Sequence, residues 1–163
     1  MTDLLSLYLD RAGLPAERGW QLLEWCHGHG ADQFTVNFVH SVKDPDAAYR
    51  SFDGAIAPYK LAPAKRRVLQ PDKDGRVERD VQLWTLTPES IAALRSWLPK
   101  GILYCYVPPD AWLEDLILYR AGVLMLGVIS HEGEGVLRVG ESDRDELLGL
   151  GYTFDSYGGW VRY

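Results

Sequence analysis

The chain opens with apolar residues at helical spacing. Leu4, Leu5, Tyr8 and Leu9 fall on one face of a 3.6-residue period. Gly13 follows as a helix stop, and Pro15 suits the first position of a second helix. Trp20, Leu23 and Cys26 with His27 give that helix its apolar stripe, closed by Gly28 and Gly30. These signals predict an N-terminal helical hairpin over 3–28. The pattern then changes period. Phe34, Val36 and Phe38 alternate with Thr35, Asn37 and Val39, the signature of a half-buried strand over 33–40. Asp44-Pro45-Asp46 turns the chain into a short helix at 47–50, and 52–63, with one Gly and two Pro, reads as irregular.

Two strands, 65–69 and 76–86, flank the turn signal Pro71-Asp72-Lys73-Asp74-Gly75. Thr87 and Pro88 form a helix start, with Ile91, Leu94 and Leu98 as its buried stripe and Gly101 as its stop. The continuous apolar run 102–107 reads as a central strand covered on both faces, ended by Pro108-Pro109. Strands at 116–119, 123–130 and 136–139 follow, joined by Arg120-Ala121-Gly122 and by His131-Glu132-Gly133-Glu134-Gly135. Short Gly-bearing connections mean hairpins, hence an antiparallel meander. Ser142 with Asp145 reads as a capping box for a last helix, and 152–154 with 160–163 as a closing hairpin.

Strands grouped in hairpins, rather than alternating singly with helices, indicate an α+β fold. The expected architecture is a single domain over 1–163: a curved, mainly antiparallel sheet packed against three to four helices, with the sheet and its helices occupying 33–163 after the opening hairpin. No internal repeat or long linker divides it. At 163 residues and 47% hydrophobic composition, folding removes roughly 69% of the unfolded chain's surface from water, enough for one self-sufficient core.

Charge narrows the function classes. The net charge is −6, whereas a non-specific nucleic-acid binder draws most of its affinity from net positive charge. Nucleic acid is therefore not the expected partner. The charge is also uneven: residues 60–79 hold seven basic and three acidic groups, and residues 132–146 hold six acidic and two basic. Two cysteines, Cys26 and Cys105, do not make a disulfide framework and suit a reducing compartment. The first residues lack a basic region and a cleavage pattern, and the apolar stretch is broken by Asp3 and Asp10. A cytoplasmic protein without a membrane anchor is expected.

Candidate chemistry is sparse. Trp25-Cys26-His27-Gly28-His29-Gly30 offers Cys26 and His29 as metal ligands, but a structural zinc site takes four and no second close pair exists. His131, beside Glu132 in a hairpin connection, is a candidate general base oriented by a carboxylate. Lys65-Arg66-Arg67 with Lys73, Arg76 and Arg79 could meet phosphate, with Trp84 to stack on a base, though the interleaved acids fit a strand edge charged against aggregation. P-loop, dinucleotide-binding, EF-hand and zinc-protease motifs do not occur, so no cofactor is expected.

The expectation is thus a non-enzymatic binding domain, immunity- or antitoxin-like, that caps a basic protein partner. Its contacts would be Glu132, Glu134, Glu141, Asp143 and Asp145, with Tyr157 and Trp160 as aromatic anchors. The alternative is a small hydrolase using His131 with Glu132, or a metal near Cys26 and His29. An uncovered strand edge would also offer homodimerisation by sheet extension.

Overall fold

The first strand, not a helix, opens the described chain. The computed structural model describes residues 4–38, 45–69, 77–104 and 113–154. β1 (Leu5–Asp10) lies antiparallel to a late strand, β8 (Glu134–Val139), from Leu5 opposite Val139 to Asp10 opposite Glu134. This overturns the first half of the helical hairpin expected over 3–28. Six residues are too few to nucleate a stable helix, and Leu5, Leu7 and Leu9 satisfy a two-residue period as well as a helical one. Leu7 and Leu9 are buried, so the sheet edge decides between the two readings. After a turn in which Gly13 N–H donates to Asp10 Oδ1 (2.6 Å), α1 (Ala16–Gly28) buries Trp20, Leu22, Leu23 and Cys26. Pro15 sits at the cap rather than inside the helix.

β2 (Gln33–Phe38) lies within the strand expected over 33–40, but Thr35 is buried beside Phe34, its Oγ1 donating to Gln82 O (2.7 Å). α2 (Pro45–Ile56) then runs well past the short helix expected there, and a 3₁₀ turn (Ala57–Tyr59) extends it. Phe52 and Ile56, one helical turn apart, are fully buried, and that burial overrides the Gly and Pro signals over 52–63. β3 (Ala64–Val68) and β4 (Val77–Val81) pair as a separate two-stranded sheet, with their turn lying outside the described residues. The single strand expected over 76–86 is divided. Gln82 donates to Leu61 O and Leu83 O, and β5 (Trp84–Thr85) continues on the main sheet.

α3 (Pro88–Trp97) starts as expected: Ser90 N–H donates to Thr87 Oγ1 and Thr87 N–H to Ser90 Oγ, a reciprocal cap. Ile102 and Leu103, expected to begin a central strand, lie in a turn after Gly101, while 105–107 lie outside the described residues. Gly101, at φ +101°, sits against the Ala16 backbone, and Ile102 packs beside Gly19. Ile102 and Leu103 are thus buried without joining a ladder, while Tyr104 is exposed. β6 (Leu113–Arg120), β7 (Val123–Ile129) and β8 form the expected meander. α4 (Glu141–Gly149) begins from Gly140 with no side-chain cap, so Ser142 does not serve as one. Residues 152–154 form no strand, and their expected partner segment 160–163 lies outside the described residues.

The main sheet has the order β1-β8-β7-β6-β2-β5, antiparallel throughout. With α1–α4 and the β3–β4 pair it is an α+β fold. Both faces of the sheet are covered. On one, Leu116 and Leu118 of β6 and Val128 of β7 meet the apolar sides of the four helices. On the other, Ile117, Tyr119, Leu124 and Val136 meet Val68, Leu69 and Leu83 from the β3–β4 region. No helix among the described residues is long and apolar enough to cross a membrane.

Candidate functional site

α4 is the least integrated helix. Leu147 is its one buried residue. Leu148 and, just past the end, Leu150 remain 50% and 52% exposed. Glu141 and Asp143 occupy the first turn, where the positive end of the helix dipole favours carboxylates. Asp145 is exposed and accepts from Arg144 Nη2 (2.7 Å) and Nε (3.0 Å). The helix is held to α1 by a clasp. Glu146 Oε1 accepts from Trp25 Nε1 (2.8 Å), its Oε2 lies 3.2 Å from His29 Nε2, and the His29 ring stacks on Trp25 at 3.8 Å. The Trp25 donor, then His29, hold the Glu146 carboxyl below its ordinary range. Beyond α4, Arg18 donates to Leu150 O (2.8 Å) and lies 3.9 Å over the Tyr152 ring.

The five acids expected to form one patch fall into two groups along the chain. Glu132 and Glu134 lie at the start of β8, while Glu141, Asp143 and Asp145 follow its far end. A six-residue strand sets those ends about 17 Å apart. Tyr157 and Trp160 lie outside the described residues.

The second expected region, around His131, gains partners that the sequence did not indicate. The β2–β6 register shifts between Thr35 and Asn37, so β6 bulges at Asp115, which adopts φ +53°. Asp115 N–H donates to Ser130 Oγ (2.7 Å), and Ser130 N–H returns to Asp115 Oδ1 (2.8 Å). Asn37 Nδ2 donates to Asp115 Oδ2 (3.3 Å). This clamp ties the start of β6 to the end of β7. It gathers Glu114, Asp115 and His131 so that one donor atom from each lies within 4.8 Å of the others. His131 Nε2 is also 3.4 Å from Glu132 Oε1, with both side chains half exposed. Asp115 and His131 border a cavity of about 420 Å³ between the sheet and the β3–β4 pair, with Thr35, Asn37, Arg79 and Asp80 also on its wall. An imidazole among carboxylates can exchange a proton or help hold a cation.

Cys26 and His29 do not form a metal centre among the described residues. Cys26 is fully buried, and burial pushes its thiol far above the ordinary range. Both ring nitrogens of His29 face partners already, Nδ1 meeting Trp25 O at 2.9 Å and Nε2 the clasp carboxylate. Sequence reasoning missed Glu114, Asp115 and Glu146. The first two gain their place from a bulge and the third from docking of one helix on another, and neither event has a local signature.

Compared with models of known protein families, with curated proteins and with solved structures, the chain matched none.

Proposed function

We propose that the chain is a protein-binding domain that caps a basic partner through the outer face of α4. One observation carries this reading: α4 buries only Leu147 and leaves Glu141, Asp145 and Leu148 exposed, with Asp143 half-buried one turn before Leu147 and Leu150 exposed just past the end of the helix. Carboxylates around exposed leucines suit a partner with Lys and Arg around an apolar patch. The charges steer the encounter and the leucines lose water on contact. Glu146 keeps the helix in place and is not a partner contact. An immunity- or antitoxin-like cap over a basic protein in the cytoplasm is the concrete form of the proposal. Pairing of two copies through the main sheet has one long edge available, the outer side of β1, since β5 is two residues long.

The test is capture from a lysate of the source cells on the immobilised full chain, at low and high salt, followed by association kinetics with the purified captured protein. A stoichiometric basic protein is expected, lost at high salt. Its association rate at low salt should fall at least about tenfold in the Glu141→Lys/Asp143→Lys/Asp145→Lys variant. An absence of stoichiometric capture, or an unchanged rate, overturns the assignment. Capture that ignores the α4 reversal but disappears with His131→Ala moves the site to the cavity. A hydrolase using His131 with Asp115 or Glu114 is the second reading there, favoured by the gathering of those three side chains.

A further inference from the structure

The β3–β4 pair carries a feature that α4 does not explain. Residues directly opposite each other across an antiparallel pair share a face. Lys65 stands opposite Asp80, Arg66 opposite Arg79, and Arg67 opposite Glu78. Arg66 and Arg79 therefore share the face of Ala64, Val68, Val77 and Val81, which packs on the main sheet. Two guanidinium groups directly opposed repel each other. Arg66 Nη1 donates to Lys65 O (2.9 Å) and Nη2 to Gln33 Oε1 (3.1 Å), while Nε is buried and meets no acceptor. The Tyr119 ring lies 6.0 Å from the guanidinium carbon. Tyr119 is no counter-charge, because burial pushes its hydroxyl above the ordinary range and the hydroxyl donates to Arg67 O (2.9 Å). Among the described residues, no carboxylate lies within ion-pair distance of Lys65, Arg66 or Arg67, even though Asp80 and Glu78 face two of them across the ladder.

Beside these side chains is a pocket of about 230 Å³, walled by Lys65, Arg66, Arg67, Arg138, Glu78 and the turn at Gly122. Arg66 is half-buried and has no counter-ion among the described residues, an arrangement that an added anion relieves. We propose that this pocket binds a small oxyanion, a phosphate group free or at the end of a small molecule. A guanidinium fork matches the geometry of phosphate oxygens, and Lys65 and Arg67, exposed on the outer face of β3, add charge at the pocket's rim. The volume falls below the roughly 300–1,000 Å³ of drug-sized ligand sites, so the pocket takes a headgroup rather than a whole nucleotide. It lies on the face of the sheet opposite the helices, and its test is independent of the α4 proposal.

The experiment is titration of the full chain with inorganic phosphate at constant ionic strength, reading the Nε–H resonances of the arginines by NMR. Saturable shifts at Arg66 are expected, with sulfate competing and chloride giving none. The Lys65→Gln/Arg67→Gln variant replaces two exposed side chains and should fold normally. It should weaken phosphate binding about tenfold, the effect of losing a hydrogen bond to a charged group. Arg66→Lys keeps the charge but loses the fork and should weaken it as well. Non-saturating shifts, an equal response to chloride, or binding indifferent to these variants overturns the proposal. A short single-stranded oligonucleotide that binds with steep salt dependence while phosphate fails to saturate also overturns it, because the face then tracks a nucleic-acid backbone.

Discussion

Gly127→Ala tests the contact between the main sheet and the layer that carries the basic pocket. Gly127 stands mid-strand in β7, opposite Ile117 on one side and Val136 on the other, and its face looks toward Leu69. A Cβ at this position would lie 2.3 Å from Leu69 Cδ1 and 2.7 Å from Cγ, with Leu124 Cδ1 at 3.6 Å. Those first two distances are well inside carbon–carbon contact, and the near approach of Cγ means that rotation of the end methyls alone gives no relief. Leu69 is buried at 7% exposure, so it must leave its rotamer or lift the β3–β4 pair. Overpacking of this kind costs about 1–3 kcal/mol. Removing a glycine from a strand returns roughly 0.5–1 kcal/mol of backbone entropy. The net expectation is a destabilisation of about 0–2.5 kcal/mol. Leu69→Ala alone leaves a cavity and costs about 2–5 kcal/mol. In the double variant the new methyl occupies part of that cavity, so its cost should fall short of the sum of the single costs by at least about 1 kcal/mol. Urea unfolding followed by tryptophan fluorescence measures all four members of the cycle. Additivity within about 0.5 kcal/mol would refute the close approach of Leu69 to β7.

Two further outcomes follow from single residues. Ala121 holds φ +49° and Gly122 φ +78° in the β6–β7 turn, the pair of left-handed conformations that favours Asn-Gly. Ala121→Asn should therefore stabilise the chain by about 0.5–1 kcal/mol, seen as a rise in thermal midpoint; a fall would show that the turn does not hold this geometry. Glu146 is an acid held below its ordinary range, first by the Trp25 donor and then by His29. Its contribution is complete above the carboxyl's unfolded pKa and is lost as pH falls through the lower folded value. Acidification through that window should weaken hydrogen-exchange protection of α4 relative to the meander. Glu146→Gln, which keeps an acceptor for Trp25, should remove the difference, and a pH response unaltered in that variant would separate the clasp from the docking of α4.

The elements legible in the sequence are those whose signals are complete within a few residues. Thr87, Pro88 and Ser90 contain the whole start of α3, because a cap is a set of local hydrogen bonds. Arg120-Ala121-Gly122 and the Gly-bearing loop at 131–135 define the meander, because a short loop leaves its strands no choice but to pair. Alternation over Gln33–Phe38 marks β2 for the same kind of reason. Tertiary structure decided the rest. Leu5–Asp10 is a strand because β8 offers an edge, and Ile102 and Leu103 are buried beneath α1 outside any ladder. The one acidic stretch over 132–146 is divided into two groups set apart by the length of β8. Asp115 and His131 are 16 positions apart and meet only because a bulge and the Ser130 clamp bring the start of β6 to the end of β7. Charge composition is a property of the chain, whereas a charged surface belongs to strands and helices in contact, and those contacts are set by burial between distant residues.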